Sequence, residues 1–160
     1  MTPPSPADRL TSIAPPWVHL LVVDDQESPT LPPPPPGVVV RTLDGRRGRT
    51  KRALLTEMAR ALGFPAHFGG TWDALEDCLT DLDWLPGTGY RLIVLGADRL
   101  LARDPASYAT FVALLEDVGR AWGTGATGHP ERGPVPFHTL LVVPAHRVDA
   151  RRSWGVAPLD

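Results

Sequence analysis

The residues best suited to chemistry in this chain are carboxylates. Between Ala61 and Tyr90 there is no Lys or Arg, while Asp73, Glu76, Asp77, Asp81 and Asp83 supply five negative charges. On a helix, positions 73, 76, 77 and 81 fall at i, i+3, i+4 and i+8, so four carboxylates share one face. Like charges one turn apart destabilise a helix by roughly 0.2–0.5 kcal/mol a pair. Asp73 recovers part of this at the positive end of the helix dipole, whereas Asp77 and Asp81 lie too far along. A solvated face usually interleaves Lys or Arg, so two readings stand at this point: a solvated face, or a surface that meets a cationic partner. A weaker third pairs Asp73 with Asp77, one turn and about 6 Å apart along the axis, as hydrolytic carboxylates. Glycosidase carboxylates, however, normally project from different elements across a cleft.

The other reactive groups carry less. Asp24-Asp25 after HLLVV has the look of a Mg2+-holding pair beside a phosphoacceptor aspartate, but the strand that should end in that aspartate runs LIVL into Gly96. A solvated strand end is the plainer reading. The histidines, His19, His67, His129, His138 and His146, are scattered, and no two sit at helical spacing beside a carboxylate. No metal site and no cofactor are therefore expected. His138, on an apolar strand, reads as a hydrogen-bonded core or edge residue. GxSxG, P-loop and GxGxxG patterns are absent, and Gly69-Gly70 lacks the Lys-Ser/Thr that phosphate cradling needs. Cys78 is the only cysteine, which excludes an intramolecular disulfide and suits a reducing compartment. Nearby acids would raise its pKa, so it reads as a buried helix residue, not a nucleophile.

These groups must be positioned by an α/β fold. Residues 38–43 (VVVRTL) form a strand pattern closed by Asp44-Gly45. Thr50 then caps a helix in which Leu55, Met58 and Leu62 recur at i, i+3 and i+7 until Gly63 and Pro65 stop it. Residues 71–82 read as a second helix with Trp72, Leu75, Leu79 and Leu82 on one stripe. YRLIVL (90–95) is a strand covered on both faces. Asp104-Pro105 reads as an N-cap and first helical position, followed by an apolar helical repeat from Tyr108 to Trp122. A Gly/Pro-rich loop leads to a last strand, 137–143. The simplest arrangement is a three-stranded parallel sheet packed by helices, with right-handed crossovers.

Eleven of the 19 prolines lie in residues 1–36, ending in an unbroken run over 32–36. The expected organisation is a Pro-rich extension over 1–36, a domain over 37–146 and a tail over 147–160. Within the extension, residues 17–23 (WVHLLVV) are either an added edge strand or a loosely held arm. The balance of 16 Lys+Arg against 18 Asp+Glu argues against a generic nucleic-acid or anionic-membrane binder. No apolar run approaches the ~20 residues that span a bilayer, and a cytoplasmic protein is expected.

FPAHFGGTWDALEDCLTDL, residues 64–82, resembles the signature of barstar-like ribonuclease inhibitors: an aromatic pair, a Gly and an N-cap residue leading into a helix with DALxDCL. The resemblance extends over roughly residues 38–143. It implies an inhibitor that binds a secreted or toxin-type ribonuclease, barnase-like or guanyl-specific, one to one, without enzymatic activity and without direct contact to nucleic acid or membrane. Carried over by position, it assigns Asp77 as the central carboxylate and Asp73 as a second, with Glu76 and Thr80 on the same helix. His67, Phe68 and Gly69 match the loop over the nucleobase side of the cleft. In the last helix it assigns Asp117, a one-residue slip choosing Glu116. His67 stands where Tyr is usual, Glu76 where the family's namesake carries Trp, and Leu95-Gly96 where Trp-Arg is usual. The alternative is a module of the same fold whose acidic face binds another basic protein.

Overall fold

In the computed structural model, which describes residues 2–24 and 30–159, the chain begins with α1 (Pro6–Leu10) and β1 (Val18–Val23). It continues through β2 (Val38–Asp44), α2 (Lys51–Leu62), α3 (Trp72–Asp81), β3 (Gly89–Leu95), α4 (Tyr108–Thr124), β4 (Phe137–Pro144) and β5 (Ala157–Pro158). The strands make one parallel sheet in the order β2-β3-β4-β1-β5. The three expected strands are its first three members. Residues 18–23 settle as a strand paired with β4 along their whole length, from Val18 opposite Thr139 to Val23 opposite Pro144. β1 is not the outermost strand, because the two-residue β5 flanks it at His19 and Leu20. Of the Asp24-Asp25 pair, Asp24 is exposed and Asp25 lies outside the described residues.

The sheet has two differently covered faces. Leu43, Leu92, Val94, Leu141 and Val143 pack against Leu54, Leu55, Met58 and Leu62 of α2, Leu75 and Leu79 of α3, and Phe111, Leu115, Val118 and Trp122 of α4. Residues one step along each strand point the other way, and there Ile93, Leu140 and Val142 meet Leu10 of α1, Leu159 and the half-buried Leu31. Both faces of β3 are thus covered, as the apolar run Leu92–Val94 requires.

The predicted caps form at α2 and α3: the Thr50 and Thr71 hydroxyls accept the N–H of Ala53 and Ala74, at 3.2 and 3.0 Å. Asp104 departs from expectation. Residues 105–107 form a single 3-10 turn without a side-chain cap. The Asp104 carboxylate instead accepts the Ser107 hydroxyl at 2.9 Å and the Lys51 N–H at 3.4 Å, tying the start of α4 to the start of α2. Among the described residues no helix is long and apolar enough to cross a membrane.

Candidate functional site

The acidic helix is fixed from below. Leu75, Leu79 and Leu82 are fully buried, and the Trp122 indole donates to the Leu79 carbonyl at 2.8 Å, locking α3 to α4. The opposite side faces solvent. Asp73 and Asp77 are exposed and, among the described residues, have no ionic partner. Glu76 is half-buried, and its pKa is raised by that burial and then by the carboxylates of Asp117, Asp77 and Asp73. Negative charge from two helices therefore converges on one place. Asp117, not Glu116, is the α4 acid among those that act on Glu76. It also accepts the Arg120 guanidinium at 3.0 Å, with both side chains more than half exposed. Thr80 is half-buried and its hydroxyl donates to the Glu76 carbonyl at 2.9 Å, back along the helix.

The loop before α3 is anchored at one residue and open at the others. Phe68 is half-buried, edge-on to Phe64 with ring centroids 4.9 Å apart, and its N–H bonds the Pro65 carbonyl at 3.0 Å. His67, Gly69, Gly70 and Thr71 are exposed around it. Phe68 is thus as much a packing residue as a surface one. Trp72 is half-buried, stacked on Phe111 of α4 with centroids 6.2 Å apart. The expected set therefore divides: His67, Phe68, Gly69, Asp73, Glu76, Asp77 and Thr80 lie on one loop-helix segment, and Asp117 joins them from the neighbouring helix.

Two expectations change. The face is not uncompensated along its whole length, because His129 from the loop after α4 reaches the far end of α3. Its Nε2 lies 2.7 Å from the Asp81 carboxylate and 4.0 Å from Asp83, and its Nδ1 lies 3.2 Å from Glu131. The hydrogen bond to Asp81 is the main cause of a raised His129 pKa. Only the Asp73–Asp77 end is left open. Cys78, expected to be buried, is half-buried; burial, then Asp81 and Asp77, pushes its thiol pKa up, so it is a poor nucleophile. Nothing in the local pattern around residue 129 signals its position, since it lies 48 residues from Asp81. Among the described residues no group of three His, Cys, Asp or Glu is arranged to hold a metal.

What the open end offers is a rigid row of carboxylates flanked by a short, exposed loop. Such a row can attract and pair with cations. Comparison with known proteins agrees with that geometry: a family described as Barstar (barnase inhibitor) matches residues 38–141. A search of curated proteins finds no match.

Proposed function

Because the chain belongs to the barstar family, we propose that it inhibits a small basic ribonuclease by plugging the enzyme's active site with α3 and the loop before it. The observation that carries this reading is the convergence of Asp73 and Asp77, without an ionic partner among the described residues, with half-buried Glu76, whose pKa is raised by burial and then by its acidic neighbours. A group in such a field gains when a cation arrives. A ribonuclease cleft supplies cations, because it must hold a phosphodiester with Arg, Lys and His.

In this reading Asp77 enters the phosphate position and Asp73 takes a second cation at the cleft's edge. Glu76 and Thr80 fill the remainder of the helix contact, and Asp117 adds a contact from α4. His67 and Gly69 cover the nucleobase side, with Phe68 holding the loop in place. Complementary fields also raise the rate of encounter. The inhibitor acts inside the producing cell, protecting it from the ribonuclease before export, in a one-to-one complex.

The test is titration into small guanyl-specific ribonucleases and basic ribonuclease toxins, following RNA cleavage. The expected result is stoichiometric inhibition of at least one, competitive with substrate. No inhibition across the panel, or inhibition that substrate does not relieve, contradicts the plug.

A further inference from the structure

The acidic helix has a cationic neighbour. Between α2 and the loop before α3 lies a groove of about 540 Å³, with Lys51, Arg52, Leu55 and Thr56 on one wall and Phe68 and Gly69 on the other. Lys51 is held toward the start of α3: its ammonium lies 5.2 Å from the centre of the Trp72 ring, one residue before Asp73. Among the described residues neither the Lys51 ammonium nor the Arg52 guanidinium has a carboxylate partner. Of the cations nearby, Arg46 pairs with Asp44 at 3.0 Å and Arg60 with Glu57 at 2.6 Å. Two cations without a carboxylate partner among the described residues thus line the groove that borders the loop before α3.

Resting on the plug reading, we propose that this groove receives an acidic side chain from the rim of the ribonuclease cleft, and that Lys51 and Arg52 thereby select among ribonucleases with equally basic clefts. A protein seated over Asp73, Asp77 and Gly69 extends onto the groove, which shares the loop. If its rim there were basic, Lys51 and Arg52 would meet like charge, and such juxtapositions exclude wrong partners. If it carries Asp or Glu, the two cations are satisfied. The groove suits such a side chain in both its parts: Leu55 and Phe68 line it with apolar surface for methylenes, and the cations take the carboxylate. Gly70, which also lines the groove with φ +68°, carries no side chain, and a Cβ built there would meet nothing within 4 Å. The interface is thus bipolar, acidic on α3 and basic on α2.

The experiment uses whichever ribonuclease the wild-type chain inhibits. Lys51→Gln combined with Arg52→Glu is expected to weaken inhibition at least tenfold, while Lys51→Arg combined with Arg52→Lys stays within threefold of wild type. As Lys51 is the chain's only lysine, its acetylation in the unmutated protein, followed by peptide mass spectrometry, is expected to slow at least fivefold in the complex. If the charge-altered variant inhibits as well as wild type while Asp77→Ala does not, or if Lys51 acetylates equally fast free and bound, the groove proposal is overturned and the plug stands. If the wild type inhibits no ribonuclease, both fall.

Discussion

Glu76 shows how a binding residue strains the protein that carries it. Its carboxyl pKa is raised by burial and by Asp117, Asp77 and Asp73, so the folded state disfavours its ionised form. Stability is therefore lost as pH rises through the range where Glu76 ionises, and at neutral pH the charge is a net cost. Glu76→Gln removes it while keeping the shape. The free protein is expected to gain a few tenths of a kcal/mol, the scale of like-charge pairs on a helix, seen as a Tm about 1–2 °C higher at pH 7. Inhibition is expected to weaken in the same variant; a Tm below wild type contradicts this account of the site's electrostatics. Much at this scale was legible in the sequence. The α3 acids, the Thr71 cap and the Leu75/Leu79 stripe repeat at helical spacing within eleven residues, so periodicity alone locates them. Glu57 was not legible: its carboxylate is buried, accepting the Asp44 N–H at 2.8 Å and bonding Arg60, and only the folded β2–α2 connection brings the Asp44 N–H to it.

Among the elements, β1 and α4 show why the N-terminal residues were hard to place. WVHLLVV fits a strand or a loose arm equally well, because its partner strand lies more than 110 residues away. What secures it is a close approach to α4. Gly119 is helical, and a Cβ there would overlap the Cβ and Cγ of Trp17; one at Gly123 would overlap the Ile13 carbonyl. The Trp17 indole donates to the Ile13 carbonyl at 3.2 Å, and Arg120 lies 5.3 Å from the indole ring centre. Replacing Gly by Ala inside a helix ordinarily stabilises by about 1 kcal/mol. Here the sign is expected to reverse, because the Trp17 atoms in the way are the root of the side chain and not its flexible end. Gly119→Ala should unfold at lower denaturant than wild type. An unchanged or higher midpoint would mean that the Pro-rich extension, the chain's leader, does not bear on α4 in this way.

For the molecule as a whole, the leader and tail close the sheet's second face over a polar cluster. His138 Nε2 lies 2.7 Å from the Ser12 carbonyl, which can only accept, so this nitrogen donates and His138 Nδ1 accepts from His19 Nε2 at 2.9 Å. His19 Nδ1 is then a lone pair without a donor among the described residues. Arg91, aligned with His138 across β3 and β4, donates to the Pro32 carbonyl at 2.7 Å. Both leader carbonyls thus serve buried side chains. Protonating His19 would add charge beside His138 and Arg9, and burial, then these neighbours, lower its pKa to about 4. His138 is lowered too, chiefly by burial. A folded pKa below the unfolded 6.5 means stability is complete above about pH 6.5 and is lost as pH falls toward 4, each pH step of one between those limits costing about 1.4 kcal/mol. His129, whose pKa is raised, works in the opposite sense and loses its contribution as pH rises above about 6.5. Between pH 6.5 and 4.5, Tm is expected to fall, and to fall less in His19→Gln; equal slopes would contradict the assignment. From the sequence His138 reads as a hydrogen-bonded core or edge residue, but its partner is not legible, since the pairing exists only once β1 has entered the sheet. The central claim, that an acidic helix plugs a ribonuclease, is tested most directly by the inhibition constant of Asp77→Ala on a ribonuclease the wild type inhibits. At least a 30-fold loss, about 2 kcal/mol, is predicted, and an inhibition constant equal to wild type would contradict it.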